Sequence, residues 1–441
     1  MQRRAFVKSL AASLTSVGLL AEQAQAFGGE LEKFHTDVGD AASDQALWDR
    51  VRGEFMLADD LVHLNCGSVG ATPRMVVDAV SGYLRQFEGN PVGNSFNGHT
   101  EMATKAAEFI GADPDEIHIT RNTTEGMNMI AEGLELGPGD QILTSNHEHG
   151  GGMICWQHLA RRRGVEVVCL PLPTPVQSAD QILQLVEDHI TDRTRLCSFM
   201  HIDTITGLRM PLAAIAEITR RRDILLVCDG AQGPGMVDVD VKTLGVDAYA
   251  SSSHKWMLAP KGSGLLYIRR AVQDRIRPVD LYATRNAQRP AGSYTDYGKP
   301  GYSASVGTRS IPIVLGHGLA MDFHNALGRD RIEQRCRQLS DYARARLRTI
   351  PGLQLLTPEQ PALSSGMVSF GVAGGRNGEV RRRLFDEHNI VVKGAQGTYA
   401  FVEQGGAKSH NFNALRFSTH IFNNEAEIDR TADLIEAILA S

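Results

Sequence analysis

The chain has 441 residues, 42% of them hydrophobic and 22% charged, a composition typical of a globular protein with one large or two medium domains. Its 51 acidic residues outnumber its 45 basic residues, so its charge gives no support to nucleic-acid or anionic-membrane binding. No segment of the mature chain is apolar over a length that would span a membrane.

The first 26 residues are predicted to be an export signal rather than part of the fold. Arg3, Arg4 and Lys8 belong to a twin-arginine pattern, and Ala24-Gln25-Ala26 is typical of a cleavage site after a short apolar run. The alternative interpretation is an N-terminal amphipathic helix. We expect the twin-arginine export machinery to carry the folded protein to the periplasm, where the mature chain would begin at Phe27.

Cysteine usage is consistent with export in the folded state. Cys169, Cys197 and Cys228 lie in apolar runs, where a free cysteine behaves as a small hydrophobic residue. We therefore interpret most of the six cysteines as buried thiols. Cys66 and Cys155 lie in loops near the candidate site, and their state stays open.

Residues 27–75 are predicted to form an N-terminal arm that contributes to the active site and to a smaller domain. Residues 27–44 show little pattern, and residues 61–65 are typical of a short strand. The glycine-containing segment 66–70 that follows would let the backbone approach a ligand closely, or it is an ordinary tight turn.

Residues 76–310 are predicted to form a large domain in which helices and strands alternate from about residue 100 to residue 245. This alternation is typical of the α/β class with a mostly parallel sheet, whose ligand sites lie where the strands end. A composition rich in Arg, Gly, Tyr and Pro marks a loop at 282–305. Residues 311–441 are then predicted to form a smaller α+β domain, which begins with a long helix interrupted near Gly328.

Lys255 is the most reactive candidate in the chain. It follows a strand and is preceded by Ser252, Ser253 and His254. Such a lysine would form a Schiff base with an aldehyde cofactor if burial and neighbouring charge lowered its pKa. A surface lysine in a loop is the alternative.

Two further element ends carry side chains suited to a phosphorylated heterocyclic cofactor. Asp229 ends an apolar strand, where its carboxylate would pair with a protonated ring nitrogen or cap the next turn. Thr123 and Thr124 begin a helix, whose free amides would hold a phosphate, or they only cap that helix. The glycines at 230–235 are not followed by a helical pattern, which argues against a dinucleotide loop.

His147, Glu148 and His149 follow another strand. They would bind a metal only with further ligands at suitable spacing. We prefer a role for His149 as an imidazole stacked on a cofactor ring.

Seven motifs occur together in the order and spacing of a known family: 123–126, 148–149 with Trp156 downstream, 201–207, 229–232, 252–255, 307–308 and 416–418. Together they resemble the class V aminotransferase family of pyridoxal-phosphate enzymes, which has the fold-type I architecture. The resemblance covers almost the whole mature chain, and 229–232 with 252–255 is its most specific part. Segments 64–70, 90–91 and 307–309 are most similar to the isopenicillin N epimerase-like branch.

The resemblance implies pyridoxal phosphate as the cofactor and assigns residues to its ring. Lys255 would hold the cofactor aldehyde and move the α-proton of the substrate. Asp229 would keep the pyridine nitrogen protonated, and Gln232 would contact the ring hydroxyl. His149 would stack on the ring, and Thr204 is a further cofactor contact.

The phosphate and the substrate are assigned in the same way. The phosphate-binding residues implied by the resemblance are Thr123, Thr124, Ser252, His254 and Thr308, the last from the other subunit of a homodimer. Arg416 would clamp the substrate carboxylate, for which a guanidinium fork is suited, and Asn65 is placed with it. A surface arginine in a strand is the alternative for Arg416, but apolar neighbours on both sides argue against it.

One difference from the sequence pattern of the family reduces the number of candidate activities. Cysteine desulfurases of the family carry a nucleophilic cysteine after the small-domain strand at 390–392, but residues 393–399 contain none. We therefore reject sulfur mobilisation and expect transamination of an amino acid or an amino-acid-bearing substrate. Epimerisation, or other lyase or decarboxylase chemistry such as periplasmic siderophore tailoring, stays open. A non-catalytic binding protein would have no need of Lys255.

Overall fold

The computed structural model describes residues 21–91, 99–277, 309–395, 398–403 and 406–441. Its N-terminal elements are α1 (Ala21–Gly39), α2 (Asp44–Arg52), β1 (Val62–His63), α3 (Arg74–Glu88) and α4 (His99–Ile110).

The helix α1 shows that our expectation of little regular structure after residue 27 was wrong. Phe27, Leu31, Phe34 and Val38 are all buried, and their spacing places them on one face of the helix. Among residues 24–39, the buried face begins at Phe27, directly after the predicted cleavage site. Most of the predicted export signal lies outside the described residues, and the signal stays a prediction.

Seven strands form the central sheet: β2 (Ile117–Thr120), β3 (Gln141–Ser145), β4 (Glu166–Leu170), β5 (Thr194–Met200), β6 (Leu225–Asp229), β7 (Ala248–Ser252) and β8 (Gly264–Ile268). Their order is β2-β8-β7-β6-β5-β3-β4, and β8 alone in this sheet runs antiparallel to its neighbours. The predicted α/β class is thereby confirmed. The carboxyl ends of β5, β6 and β7 meet at one edge of the sheet, where ligand sites of this class lie.

The helices that connect these strands are α5 (Thr123–Gly133), α6 (Gly150–Arg163), α7 (Ala179–His189), α8 (Leu212–Arg220) and α9 (Val241–Leu244). Neighbouring residues of one strand enter two different cores, because successive side chains of a strand point to opposite faces. Leu196 belongs to the core that contains Trp156 of α6, and Cys197 belongs to the core that contains Ile215 of α8. Helices therefore cover both faces of the sheet.

The remaining elements are α10 (Ile311–Leu327), α11 (Arg329–Arg348), β9 (Leu353–Leu355), β10 (Met367–Val372), α12 (Asn377–His388), β11 (Ile390–Val391), β12 (Lys393–Ala395), β13 (Thr398–Glu403), β14 (Gly406–Asn411), β15 (Ala414–Ser418) and α13 (Glu425–Ala440). Four of these strands form an antiparallel sheet in the order β12-β15-β10-β9, and β1 pairs in parallel with β11. The helices α11, α12 and α13 share an apolar core with this smaller sheet.

The predicted interruption of the long helix is present at Gly328. Its φ of 97° is accessible to glycine and ends α10 before α11 begins. The helix α10 packs against α1, α3 and α4. The domain boundaries placed at residues 76 and 311 stay predictions.

All six cysteines lie within the described ranges, where each is buried and none forms a disulfide. This agrees with the interpretation of most of them as buried thiols. Cys66 and Cys155, whose state the sequence left open, are buried as well. Within the same ranges, no helix combines the length and the apolar character that crossing a membrane requires.

Candidate active site

The predicted site residues gather at the carboxyl ends of β6 and β7, opposite the smaller sheet. Asp229 is the last residue of β6, Ser252 is the last residue of β7, and Lys255 follows three residues later. Arg416 reaches the same place from β15. Thr308 lies outside the described residues, so its predicted contact with the phosphate stays a prediction.

The loop that carries Lys255 is held by its backbone. Each carbonyl oxygen of residues 254–257 accepts a hydrogen bond from a distant part of the chain. The donors, in that order, are the Gly70 amide (2.9 Å), the Cys66 thiol (3.5 Å), His420 Nε2 (2.7 Å) and His324 Nε2 (2.9 Å). Because a buried carbonyl without a partner costs about 1–3 kcal/mol, these bonds strongly favour one conformation of the loop.

The two histidine donors are neutral, because burial lowers the pKa of His420 to about 4 and that of His324 to about 3. His420 Nδ1 accepts the Ile421 amide at 2.7 Å, which leaves Nε2 as the protonated nitrogen that donates to the Trp256 carbonyl. Leu258 closes the loop with a φ of 57°, a strained value for a leucine. The surroundings therefore determine the backbone around Lys255 more than the local sequence does.

The environment of the Lys255 amine favours its neutral form. Burial is the main cause, and the cations Arg416 and Lys393 add to it, so that the pKa falls to about 8 although the Asp229 carboxylate raises it. About a tenth of the amine is therefore unprotonated at pH 7, far more than for an ordinary lysine. An amine must be unprotonated to attack an aldehyde or to remove a proton.

Asp229 is fixed at the base of the site. It is 5% exposed, and its Oδ1 accepts the Ala231 amide at 2.9 Å. Gly152 of α6 lies against the other oxygen, since a Cβ at this glycine would come within 2.4 Å of Oδ2. Only glycine lets α6 approach the carboxylate this closely.

Glu148 is a second buried carboxyl group near Asp229, and the sequence suggested no role for it except as a possible metal ligand. It accepts the Ser145 hydroxyl at 3.0 Å and the Met200 amide at 3.1 Å. Burial, and next the charge of Asp229, raise the pKa of Glu148 well above its usual range. Its neutral form is therefore favoured beside the Asp229 carboxylate. Within the described ranges, no group of three or more potential ligands is arranged to hold a metal ion.

Two helices begin at the end of the site where a phosphate would bind. Thr123 is the first residue of α5, and both its amide (2.9 Å) and its hydroxyl (2.8 Å) contact the Ser252 hydroxyl. Thr124 follows it and is exposed. His149 caps α6, and its Nδ1 accepts the Gly151 amide at 3.0 Å. Hydroxyls and free amides at positive helix ends are suited to bind an anion.

His149 and His254 flank Lys255 with neutral rings. The ring of His149 is exposed in the cleft, yet the surrounding protein desolvates it enough to lower its pKa, and the charge of Lys255 acts in the same direction. Burial and the same charge also lower the pKa of His254. A neutral His149 with an acceptor Nδ1 is compatible with the predicted stacking on a cofactor ring, which stays a prediction.

Arg416 joins three parts of the chain on the substrate side of the site. It is 1% exposed, and its Nη1 donates to the Thr204 hydroxyl at 2.9 Å and to the Thr204 carbonyl. Its Nη2 donates to Asn65 Oδ1 at 3.2 Å. Gln232 Nε2 donates to the Thr204 hydroxyl at 3.1 Å, and Gln232 Oε1 accepts Trp256 Nε1 at 2.6 Å. The network connects the predicted substrate arginine to the lysine loop.

These groups fit pyridoxal phosphate. The buried Lys255 amine suits the aldehyde, the fixed Asp229 carboxylate suits the ring nitrogen, and the hydroxyls of Thr123 and Ser252 at a helix N-terminus suit the phosphate. Sequence reasoning did not identify His324 or His420 as parts of this arrangement, and it gave Glu148 only as a member of the 148–149 motif and as a possible metal ligand.

Comparison with known proteins agrees with this fit. The family described as "Aminotransferase class-V" matches residues 67–431. The isopenicillin N epimerase of Streptomyces clavuligerus is 33% identical over 404 residues, which cover 89% of this chain and 98% of that protein. A probable cysteine desulfurase of Methanothermobacter thermautotrophicus is 28% identical over 413 residues, with 88% of this chain and 97% of the relative covered.

Solved structures show the same architecture. A mutant of C-DES with glycine covalently linked to its PLP cofactor superposes with a TM-score of 0.75 at 25% identity, covering 87% of this chain and 99% of that one. The complex of the cystine C–S lyase C-DES with cysteine persulfide gives a TM-score of 0.72 at 26% identity, covering 85% and 97%. The chain therefore belongs to the class V aminotransferase family, whose members are enzymes of fold-type I that use pyridoxal phosphate.

Proposed function

We propose that this enzyme acts at the α-carbon of an amino acid, or of a larger substrate that carries one, and that Lys255 moves the α-proton. The observation that carries the proposal is the buried Lys255 amine, whose pKa of about 8 is set by burial and by the nearby charges of Arg416 and Asp229. Pyridoxal phosphate, when bound, supplies a carbonyl for the substrate amine and an electron-withdrawing ring.

Residues of the protein would bind the substrate, transfer the proton and stabilise charge. Arg416 would bind the substrate carboxylate, and Thr204 and Asn65 hold its guanidinium in place. The unprotonated Lys255 amine would take the proton from the α-carbon and later return one. Asp229 would hold a positive charge at the far end of the site, where its Ala231 hydrogen bond fixes the carboxylate.

Two outcomes of this proton transfer are candidates. Transamination is the outcome that we predicted from the sequence. Epimerisation is the second candidate, and it is favoured by the 33% identity to an isopenicillin N epimerase over 89% of this chain. In transamination the substrate leaves as a keto acid, whereas in epimerisation it keeps its amine and changes its configuration.

The similarity to cysteine desulfurases does not lead us to propose sulfur mobilisation. That reaction needs an accessible thiolate, whereas all six cysteines are buried. Burial also raises the pKa of Cys66, the thiol next to the Lys255 loop, well above its usual range. Residues 393–399 contain no cysteine.

A single-turnover experiment distinguishes the outcomes. The cofactor-loaded protein would be mixed with a panel of L-amino acids, and the products would be separated on a chiral column. One equivalent of keto acid per site would support transamination, and D-amino acid without keto acid would support epimerisation. Neither product, with a large peptide-like substrate included in the panel, would contradict the proposal.

We also propose that the protein is exported by the twin-arginine route and works in the periplasm as a homodimer. The proposal is supported by Arg3, Arg4 and Lys8 in the sequence and by a buried face of α1 that begins at Phe27. N-terminal sequencing of periplasmic protein is expected to start at Phe27, and light scattering is expected to give twice the chain mass. Unprocessed protein found in the cytoplasm would contradict the export proposal. A mass equal to that of one chain would contradict the homodimer.

A further inference from the structure

Three side chains form a row across the smaller sheet. Lys393 of β12 lies directly opposite Arg416 of β15, and Arg416 lies directly opposite Ser369 of β10. Residues opposite each other in antiparallel strands have their side chains on the same face, with Cβ atoms about 4.5–5.5 Å apart. Ser369 donates its hydroxyl to the Ile205 carbonyl, and Arg416 donates to Thr204. The face of the row is therefore turned towards the cleft.

Lys393 is the outer end of this row and differs from the other two residues. Its side chain is exposed on the edge strand β12. Among the residues that the structure describes, no side chain forms an ion pair or hydrogen bond with it. Its charge nevertheless acts in the site, because it contributes to the lowered pKa of Lys255 and of His149.

Among the described groups whose charges act on the Lys255 pKa, the cations Arg416 and Lys393 outnumber the Asp229 carboxylate. Burial, followed by the charge of Arg416, lowers the pKa of Lys393, so the two cations oppose each other. Like charges directly opposite in a sheet are destabilising. The Asp229 carboxylate accepts the Ala231 amide and acts on the Lys255 amine, and among the described residues no carboxylate pairs with Lys393. A substrate with one carboxylate would neutralise Arg416 and leave Lys393 without a counterion.

We propose that Lys393 forms a second anion subsite beside Arg416 and that the natural substrate is an α-amino acid with a second carboxylate. Arg416 takes the α-carboxylate, and Lys393 takes the carboxylate at the end of the side chain. The proposal rests on the proposed function, because it assumes that an amino acid binds at Lys255.

Matched pairs of acids and amides test the subsite. L-glutamate and L-glutamine have nearly the same size and differ by one charge, as do L-aspartate and L-asparagine. Dissociation constants for the four would be measured from the change in visible absorbance of the cofactor-loaded full chain. We expect an acid of matching length to bind about tenfold more tightly than its amide, because it gains a charge-assisted contact. Lys393→Met is expected to remove this preference without weakening amide binding.

Two variants serve as controls. Lys393→Arg keeps the charge and is expected to keep the preference. Lys33→Met removes an exposed lysine of α1 and is expected to leave all four constants unchanged. The inference is wrong if the unmodified protein binds acids and amides alike, or if Lys393→Met weakens both equally, and the proposed function would survive either result. If neither a free amino acid nor a large peptide-like substrate alters the cofactor absorbance, both proposals fall.

Discussion

The two lysines of the site lie in opposite kinds of surroundings. The loop of Lys255 has four consecutive carbonyls bound by distant donors, and its amine is buried. Lys393 lies on an edge strand, exposed, without a described partner for its side chain. The comparison indicates that the fold fixes the reacting amine rigidly, while the residue that we assign to substrate choice can change without disturbing the core.

Lys255→Ala is the substitution with the largest expected effect. Without the amine, turnover of every amino acid should fall by at least about 10³-fold, since the same group would hold the cofactor and move the proton. Steady-state kinetics with added pyridoxal phosphate would measure this loss. Lys393→Met, the matched change in the other lysine, should reduce turnover of neutral amino acids far less, since it removes only one of the charges that lower the Lys255 pKa. Comparable losses in both variants would remove the distinction between the two lysines.

The anchoring of the Lys255 loop is tested at His420. Replacement by Leu leaves the Trp256 carbonyl without its donor and is expected to lower the free energy of unfolding by about 1–3 kcal/mol. The same replacement should also shift the pKa of the Lys255 amine. A defect elsewhere that only destabilises the fold would leave this pKa unchanged. Denaturant unfolding and the pH dependence of amine labelling would measure the two effects.

Two further variants complete the test of the anchor. His420→Gln keeps a side-chain donor and is expected to restore part of both properties. His317→Leu removes a buried histidine for which the described residues offer no hydrogen-bond partner, so it should leave the Lys255 pKa unchanged. Equal shifts of that pKa in His317→Leu and His420→Leu would contradict a specific anchor.

The charges around Lys255 are expected to shift its pKa in opposite directions. Asp229 raises this pKa and Arg416 lowers it, so Asp229→Asn should move the value below about 8 and Arg416→Gln should move it above. At pH 8, labelling of the cofactor-free protein by an amine-reactive reagent should become faster in the first variant and slower in the second. Subtracting the labelling of Lys255→Ala isolates this lysine. No shift in either variant would show that burial alone sets the value, and shifts of the same sign would contradict the opposite roles of the two charges.

The reactive centre could be predicted because its residues stand at ends of regular elements. Asp229 ends an apolar strand and Thr123 begins a helix, so pattern placed both at element ends, whereas the phosphate role of Ser252 was implied by the family resemblance. The anchors could not be predicted, since His324 lies within a largely apolar helix and His420 just after β15, far along the chain from the carbonyls they bind. Only the tertiary fold shows that these two histidines serve the loop.

Two further features, the helix α1 and the position of Lys393, were not predicted from the sequence, and each has a physical reason. Glycines at 28 and 29 obscured α1, whose stability comes from its buried face rather than from helix propensity. In the sequence Lys393 only follows the predicted strand at 390–392. The structure places it in β12, and its importance depends on its position directly opposite Arg416. Register between strands distant in sequence is not readable from either strand alone.

The central claim is that Lys255 labilises the α-hydrogen of an amino acid, and hydrogen exchange tests it most directly. The cofactor-loaded full chain would be incubated in heavy water with the acid and amide pairs and with L-alanine, and deuterium at the α-carbon would be measured by NMR. The account predicts catalytic incorporation of deuterium for at least one substrate and none with Lys255→Ala. Undiminished exchange in that variant, or none in the unmodified protein, would contradict it.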